Sequence, residues 1–311
     1  METSKNSVKG TAPSRPPYRP VSALQCRLAY AAALLAGIAA WIILDRYGII
    51  GNPLWVGFMV TCISTWVIWI FSVANGNSSI YDPYWVIAPP ILLLALKASA
   101  HGGILGPWHG RQAVILGCLI LWAGRYHIFY QWSGWRRGLV HEDWRYEDMR
   151  NAPVPYWLNS LLGMHLFPSV LVYFALAPGA LVFLTPPGSQ PAFGVWDLAG
   201  AAGALTAVTV QLFADRQMAR YRASEDYERG GTLRRGLWKY SRHPNYFGEV
   251  LFWLSMIPFA AGGGVLADRP LLAVVGPALM AAFFRFSCML MDVRSLARRP
   301  GYRQVMEEVS A

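Results

Sequence analysis

Leu54-Trp-Val-Gly-Phe-Met-Val-Thr-Cys-Ile-Ser-Thr-Trp-Val-Ile-Trp-Ile-Phe-Ser-Val-Ala74 carries no charge from end to end. A helix of that length, rising 1.5 Å per residue, spans the roughly 30 Å hydrocarbon core of a bilayer. It is the cleanest of eight apolar runs. The others are 28–44, 84–100, 113–132, 157–177, 193–214, 246–261 and 271–291. The pattern predicts an all-α, polytopic transmembrane helix bundle of about eight spans, seven to eight. The third run carries Pro89-Pro90 and Lys97, so a kinked or broken helix is expected there. The seventh is short and leans on its neighbours. No period of 20–50 residues repeats, which excludes a repeat array.

Composition agrees. The 311 residues are 55% hydrophobic and 14% charged, with 14 Trp, too apolar for an ordinary soluble domain. The net charge of +10 is a topology signal, and nucleic acid is excluded because basic residues alternate with spans. With eight spans, 21 of the 27 Lys and Arg fall on the side of the termini and 3 on the other. Both termini and the long segments 133–156 and 215–245 are then expected to face the cytoplasm, in a bacterial inner membrane or the endoplasmic reticulum. Cys26, Cys62, Cys118 and Cys288 lie in or beside apolar runs and read as small buried hydrophobes. The basic, Pro-rich start is no cleavable signal peptide, and residues 1–22 are expected to be a disordered cytoplasmic segment. Residues 23–302 read as one transmembrane domain and 303–311 as a short cytoplasmic tail.

Chemistry concentrates in Gly236-Leu-Trp-Lys-Tyr-Ser-Arg-His-Pro-Asn-Tyr-Phe-Gly-Glu249, where a basic segment meets an apolar one. Pro244 suits the first turn of a helix, which puts Asn245 and Glu249 on one face and Tyr246 beside them. The plainer reading is a basic loop before a spanning helix. Arg125, Asp197, Glu249 and Arg285 are charges inside spans, which mark a ligand, a pathway or an internal pair such as Glu249 with Arg285. Arg222, Arg242, His243, Arg294, Arg298 and Arg299 come from three stretches of the chain on the cytoplasmic side, around 222, 242–243 and 294–299. Together they suit an anion, either the phosphates of a cofactor such as NADPH or lipid headgroups. A dinucleotide glycine fingerprint, a P-loop, a zinc-protease motif and a nucleophile elbow are absent, and the six scattered His predict no catalytic metal. His165 reads as a hydrogen-bonded core residue.

The 236–249 stretch resembles the signature of the DUF1295 family, a branch of the steroid 5-alpha-reductase superfamily. Asp82-Pro-Tyr-Trp85, Leu121-Trp-Ala-Gly-Arg125, Glu142-Asp-Trp-Arg-Tyr146, Asp215-Arg-Gln217 and Arg298-Arg-Pro-Gly-Tyr302 match in the same order. The resemblance implies a membrane reductase whose part 205–302 binds NADPH. Gln211, Asp215, Arg222, Asn245 and Glu249 would line the cofactor, with Trp238, Arg242, His243, Tyr246, Arg285, Asp292, Arg298 and Tyr302 in the same set. A lipid substrate would arrive from the bilayer. Asp82, Tyr126 and Tyr146 are the candidate catalytic residues, which would stabilise the enolate oxygen as hydride reaches an enone. Two alternatives remain at this point: an S-adenosylmethionine-dependent methyltransferase acting on an isoprenylcysteine or phospholipid, and a non-catalytic lipid-binding protein of the same fold.

Overall fold

The computed structural model describes residues 19–100, 103–129 and 134–311. The disorder expected for 1–22 therefore lies, up to residue 18, outside the described residues. Beyond that point the chain is already engaged. Val21 and Leu139 exchange backbone hydrogen bonds of 2.9 and 2.7 Å, and Ser22 forms a capping box with Gln25 at the start of the first helix. Gly138 permits that clasp. It has φ +77°, and a Cβ there would stand 2.4 Å from the Val21 carbonyl oxygen.

The bundle is built from α1 (Ala23–Arg46), α2 (Pro53–Asn75), α3 (Tyr81–Ser99) and α4 (Gly110–Phe129), followed by the short α5 (Trp144–Met149) and α6 (Tyr156–Ala175). Then come α7 (Ala177–Leu184), α8 (Val195–Arg222), α9 (Pro244–Leu254), α10 (Met256–Gly262), α11 (Pro270–Arg298) and α12 (Tyr302–Glu308). Among the described residues, six helices are long and apolar enough to cross a membrane: α1, α2, α3 (with the preceding turn), α6, α8 and α11. This is the build of a multi-pass membrane protein.

Two of the eight expected spans fall outside those six. α4 carries Arg111 and Arg125, and the 130–132 end of that expected span lies outside the described residues. The expected span 246–261 is divided at Ser255, whose hydroxyl donates to Phe252 O at 2.6 Å, so it forms the shorter α9 and α10. Other boundaries also move. α3 runs unbroken through Pro89 and Pro90, and Lys97 near its end donates to Pro107 O at 2.7 Å. The expected loop 178–192 begins with α7, most of whose residues are buried. α8 continues past residue 214 to Arg222, so the segment expected to be a loop from 215 starts as helix.

α1, α2 and α3 pack in succession, α4 lies against α3 and α8, and α8 takes α9 and α10 along its flank. α11 crosses α6 closely, and α7 fills the space between α3, α10 and α11. A central core of Leu93, Ile115, Trp122, Phe183, Phe252, Trp253 and Phe259 joins these helices. α4 and α8 run in the same direction, because they are tied at both ends. Near their starts, the fully buried Arg111 and Asp197 form a two-pronged ion pair. Near their ends, Arg125 Nη1 meets Asp215 Oδ2 at 2.6 Å. Charges this deep persist only when paired and hydrogen-bonded. Arg111 also donates to Gln190 Oε1 at 3.2 Å, and Asp197 accepts from Gly194 N at 2.8 Å.

The α6–α11 crossing rests on Gly276, where a Cβ would stand 1.8 Å from the Phe174 carbonyl oxygen. Gly276→Ala is expected to push the helices apart and destabilise the protein by about 1–3 kcal/mol, the usual cost of overpacking. Gly117→Ala, on α4 with open space at the Cβ position, should be neutral or stabilising. Thermal unfolding of the two variants in one detergent compares them directly.

Candidate functional site

The site is organised by the carboxylate of Glu249, buried on α9. Trp122 Nε1 donates to it at 3.1 and 3.2 Å, Trp253 Nε1 at 3.1 Å and Gln211 Nε2 at 2.6 Å. Arg125 Nη2 lies 3.8 Å away, while its Nη1 holds Asp215. Helix geometry explains the convergence. Trp122 and Arg125 are three apart on α4, Gln211 and Asp215 four apart on α8, and Glu249 and Trp253 four apart on α9, so each pair shares a face. Gly248 lets α9 approach α8, because a Cβ there would be 2.5 Å from Gln211 Cγ. Two buried polar atoms in this cluster, Gln211 Oε1 and Arg125 Nε, have no hydrogen-bond partner among the described residues.

A second centre lies at the start of α3. Tyr146 of α5 donates its hydroxyl to Asp82 Oδ1 at 2.5 Å, and both side chains are buried. Burial first, and the neighbouring Asp82 carboxylate second, push the Tyr146 hydroxyl well above the ordinary tyrosine range, so it keeps its proton. The loop before α5 is clamped onto α3. Glu142 accepts from Ser78 N at 2.7 Å, Tyr156 at 2.9 Å and Arg150 at 2.7 and 2.9 Å. Asp143 caps α5 and its N–H donates to Ser79 Oγ at 2.9 Å. Ser78 continues through Ser160 to His165, in a π-helical stretch of α6, and on to Ser72. His165 is thus a bonded core residue.

A third cluster latches the C-terminal segment. Asp292 on α11 accepts from His243 Nε2 at 2.9 Å, Tyr302 at 2.6 Å and Arg242 Nη2 at 3.0 Å. Arg242 Nη1 donates to the carbonyls of Met306 (3.0 Å) and Val309 (2.5 Å), and its N–H to Ser310 O at 2.8 Å. Arg242 therefore turns both terminal nitrogens and its backbone N–H inward, while its buried Nε has no partner among the described residues. Burial holds the His243 imidazole below its ordinary range, against the opposing pull of Asp292.

The remaining sequence candidates are dispersed around these centres. Tyr246 stacks on His243, with ring centroids 5.7 Å apart, and feels the charges of Arg145, Asp143 and Arg222. Asn245 is half-buried one turn before Glu249, and Trp238 donates to Ala214 O at 3.1 Å. Tyr126 packs edge-on against Trp85, which packs in turn against Trp122. Arg222 and Arg298 are exposed near the ends of α8 and α11. Arg285 is exposed on α11, so the expected Glu249–Arg285 pair does not form: the cation facing Glu249 is Arg125. Sequence reasoning missed Trp122 and Trp253. Their signal was available as apolar residues spaced to share a face with Arg125 and Glu249, but an indole in an apolar run reads as core. Among the described residues, no group of three or more His, Cys, Asp or Glu is placed to hold a metal ion.

Fold and site together define a helical, multi-pass membrane protein with paired charges buried between its helices. Residues 68–309 match the family described as "Protein of unknown function (DUF1295)", and the chain belongs to that family. It is similar to an uncharacterized protein of Schizosaccharomyces pombe, with 27% identity over 281 residues covering 83% of this chain and 78% of the relative. No solved structure matches it.

Two outcomes follow from the geometry. Glu249→Gln turns an amide N–H₂ toward the N–H donors of Trp122, Trp253 and Gln211 while Arg125 keeps Asp215, so stability should fall by about 1–3 kcal/mol, the cost of a buried donor left without its acceptor. Glu225→Gln, at a surface pair with 80% of the carboxylate side chain exposed, should change nothing measurable by the same melting assay. The second outcome concerns His243. Its folded pKa is lowered, so the unfolded chain binds the proton more readily. The stability due to neutral His243 is complete above the unfolded value of about 6.5 and is lost as pH falls toward the folded value. Melting between neutral and mildly acidic pH should show a shallower decline for His243→Gln than for wild type.

Proposed function

We propose that this protein is a membrane-embedded, NADPH-dependent reductase of a carbon–carbon double bond in a lipid-like enone, of the steroid 5-alpha-reductase type, with both termini cytoplasmic. One observation carries the reading. Gln211, Asp215 and Glu249, three positions that the resemblance assigns to the cofactor, converge on one buried cluster with an unmet acceptor and an unmet donor. Buried polar atoms without partners are costly, and a carboxamide brings both a donor and an acceptor. The residues therefore fit the nicotinamide amide of NADPH. Gln211 and Arg125 would hold it, and Glu249 would orient both. The cofactor, when bound, supplies the hydride. Its phosphates would meet the exposed Arg222 and Arg298, since Arg242 is committed to the C-terminal segment.

Asp82 and Tyr146 serve the substrate oxygen. When Asp82 is protonated, the acid donates to the phenol oxygen and the phenol hydrogen turns toward the developing enolate. The clamp of Glu142, Asp143 and Arg150 keeps that hydroxyl in place. Trp85, Trp122, Phe252 and Trp253 form an aromatic layer that excludes water from the cluster.

A thermal-stability titration with NADPH, NADH and S-adenosylmethionine tests the reading. NADPH at about a hundred times its dissociation constant should stabilise by roughly 2.7 kcal/mol, and Gln211→Leu should lose the effect. With a lipid enone supplied in nanodiscs, Tyr146→Phe should bind NADPH normally and turn over about 10²–10⁴-fold more slowly. Stabilisation by S-adenosylmethionine alone would establish the methyltransferase alternative instead.

A further inference from the structure

A narrow cleft between α2, α3 and α6 is lined by side chains of all three helices and, among the described residues, by no charged group. Its enclosed part measures about 20 Å³, room for one water or one hydroxyl, and the cleft is partly open beyond it. Two lining hydroxyls are spent on the backbone: Thr61 donates to Gly57 O at 2.9 Å and Tyr173 to Leu54 O. Thr65 and Ser169 differ. Thr65 donates to Ser169 Oγ at 2.9 Å, and the Tyr81 hydroxyl lies 2.9 Å from the same oxygen. Three hydroxyls joined by two hydrogen bonds leave one hydrogen over. When Tyr81 donates to Ser169, that hydrogen belongs to Ser169, a wall residue of the cleft. α3 adds an acceptor. It continues as helix through Pro89, whose nitrogen carries no hydrogen for the Trp85 carbonyl four residues back. Among the described residues no side chain takes the place of that donor. Trp85 and Pro89 both line the cleft, so the carbonyl between them belongs to its wall. Inside a bilayer a freed backbone group is costly until something meets it.

We infer that this cleft binds an uncharged lipid alcohol, whose hydroxyl accepts from Ser169 and donates to the Trp85 carbonyl, and whose apolar body lies along Leu92, Val172 and Leu176. The donor and acceptor left over are the complement of a hydroxyl group. An ether or a ketone accepts but cannot donate. A carboxylate or phosphate would need a counter-charge that the cleft lacks, and burying it unpaired is prohibitive. A lone water could meet the same two polar groups, but the apolar walls would give it nothing. An alkyl chain gains about 0.8 kcal/mol for each CH₂ it buries there. The site is set apart from the Glu249 carboxylate by Trp122, against which Trp85 packs. Its occupancy does not depend on the chain being a reductase.

The test uses the full-length protein in an amine-oxide detergent, which carries no hydroxyl, with binding followed by native mass spectrometry. The probes are oleyl alcohol, its methyl ether, 1-octadecene and oleic acid. One equivalent of the alcohol should bind about tenfold or more tighter than each of the other three, a difference of about 1.4 kcal/mol. The pair Thr65→Val with Ser169→Ala removes both wall hydroxyls of the trio at nearly constant volume and should abolish that preference. Ala88→Leu, which fills the cleft without touching a hydroxyl, should remove binding of the alcohol. Melting temperatures of the variants report whether each still folds, and either variant alone suffices for the test. Equal affinity for 1-octadecene would overturn the inference by showing that the polar groups of the cleft hold water only. Equal affinity for the methyl ether would overturn it by removing the Trp85 carbonyl from the site. Oleic acid binding as tightly as the alcohol would overturn it too, as would a preference indifferent to the folded variants.

Discussion

A carboxylate buried among indoles sets the terms for the middle of this molecule. Glu249 is buried, so it survives as a charge only because three N–H groups and a guanidinium surround it. Each of those donors comes from a specified helix position. Meeting the requirement therefore fixes the rotation of α4, α8 and α9 about their own axes. It also fixes their depth, since a slip of one residue would carry Gln211 or Trp122 to another face. The Arg111–Asp197 pair repeats the constraint at the far end of α4 and α8. Between the two ties most side chains are apolar, and their packing is non-directional and tolerates sliding. The ion pairs supply the register that apolar contact alone does not.

The same arrangement explains where polar chemistry can occur. Trp122 does two jobs: its N–H serves Glu249, and its ring stacks on Phe252 at 5.3 Å and meets Trp85 edge-on at 5.5 Å. Trp85 also lines the narrow cleft between α2, α3 and α6, with Thr65, Ser169 and Tyr173. A continuous aromatic layer thus joins the charged cluster to a hydroxyl-bearing but uncharged cleft. Charges act strongly across such a layer because little water screens them. An apolar molecule in the cleft would meet polarity only at its hydroxyl-lined points.

How much of this the sequence disclosed depends on the kind of interaction. The long apolar helices were legible from the absence of charge, as in Leu54–Ala74. The two exceptions were harder to read: α4 carries Arg111 and Arg125, which lower its apolar character, and the 246–261 run is interrupted at Ser255, whose hydroxyl bonds back to Phe252 O. Gln211, Asp215 and Glu249 were legible as a set through resemblance, while their convergence on Arg125 was not. Spacing within a helix tells which residues share a face, but not which helix that face meets. Hence Arg285 was as good a candidate as Arg125 for pairing with Glu249, until the packing placed it on the outside of α11.

The 236–249 stretch consequently serves two structures at once. Its basic half closes the C-terminal latch through Arg242, His243 and Asp292, and its helical half delivers Glu249 to the central cluster. The halves join at His243, the residue that precedes the first turn of α9. Asp292 holds the ring of His243, and Tyr246 stacks on that ring, so the entry angle of α9 depends on the latch. A short helix of 11 residues has little stability of its own and takes its position from what holds its ends. The C-terminal segment, though distant in sequence from Glu249, therefore helps to aim it. A cation pair that looked like an anion receptor is spent on holding the geometry of a carboxylate one and a half turns away.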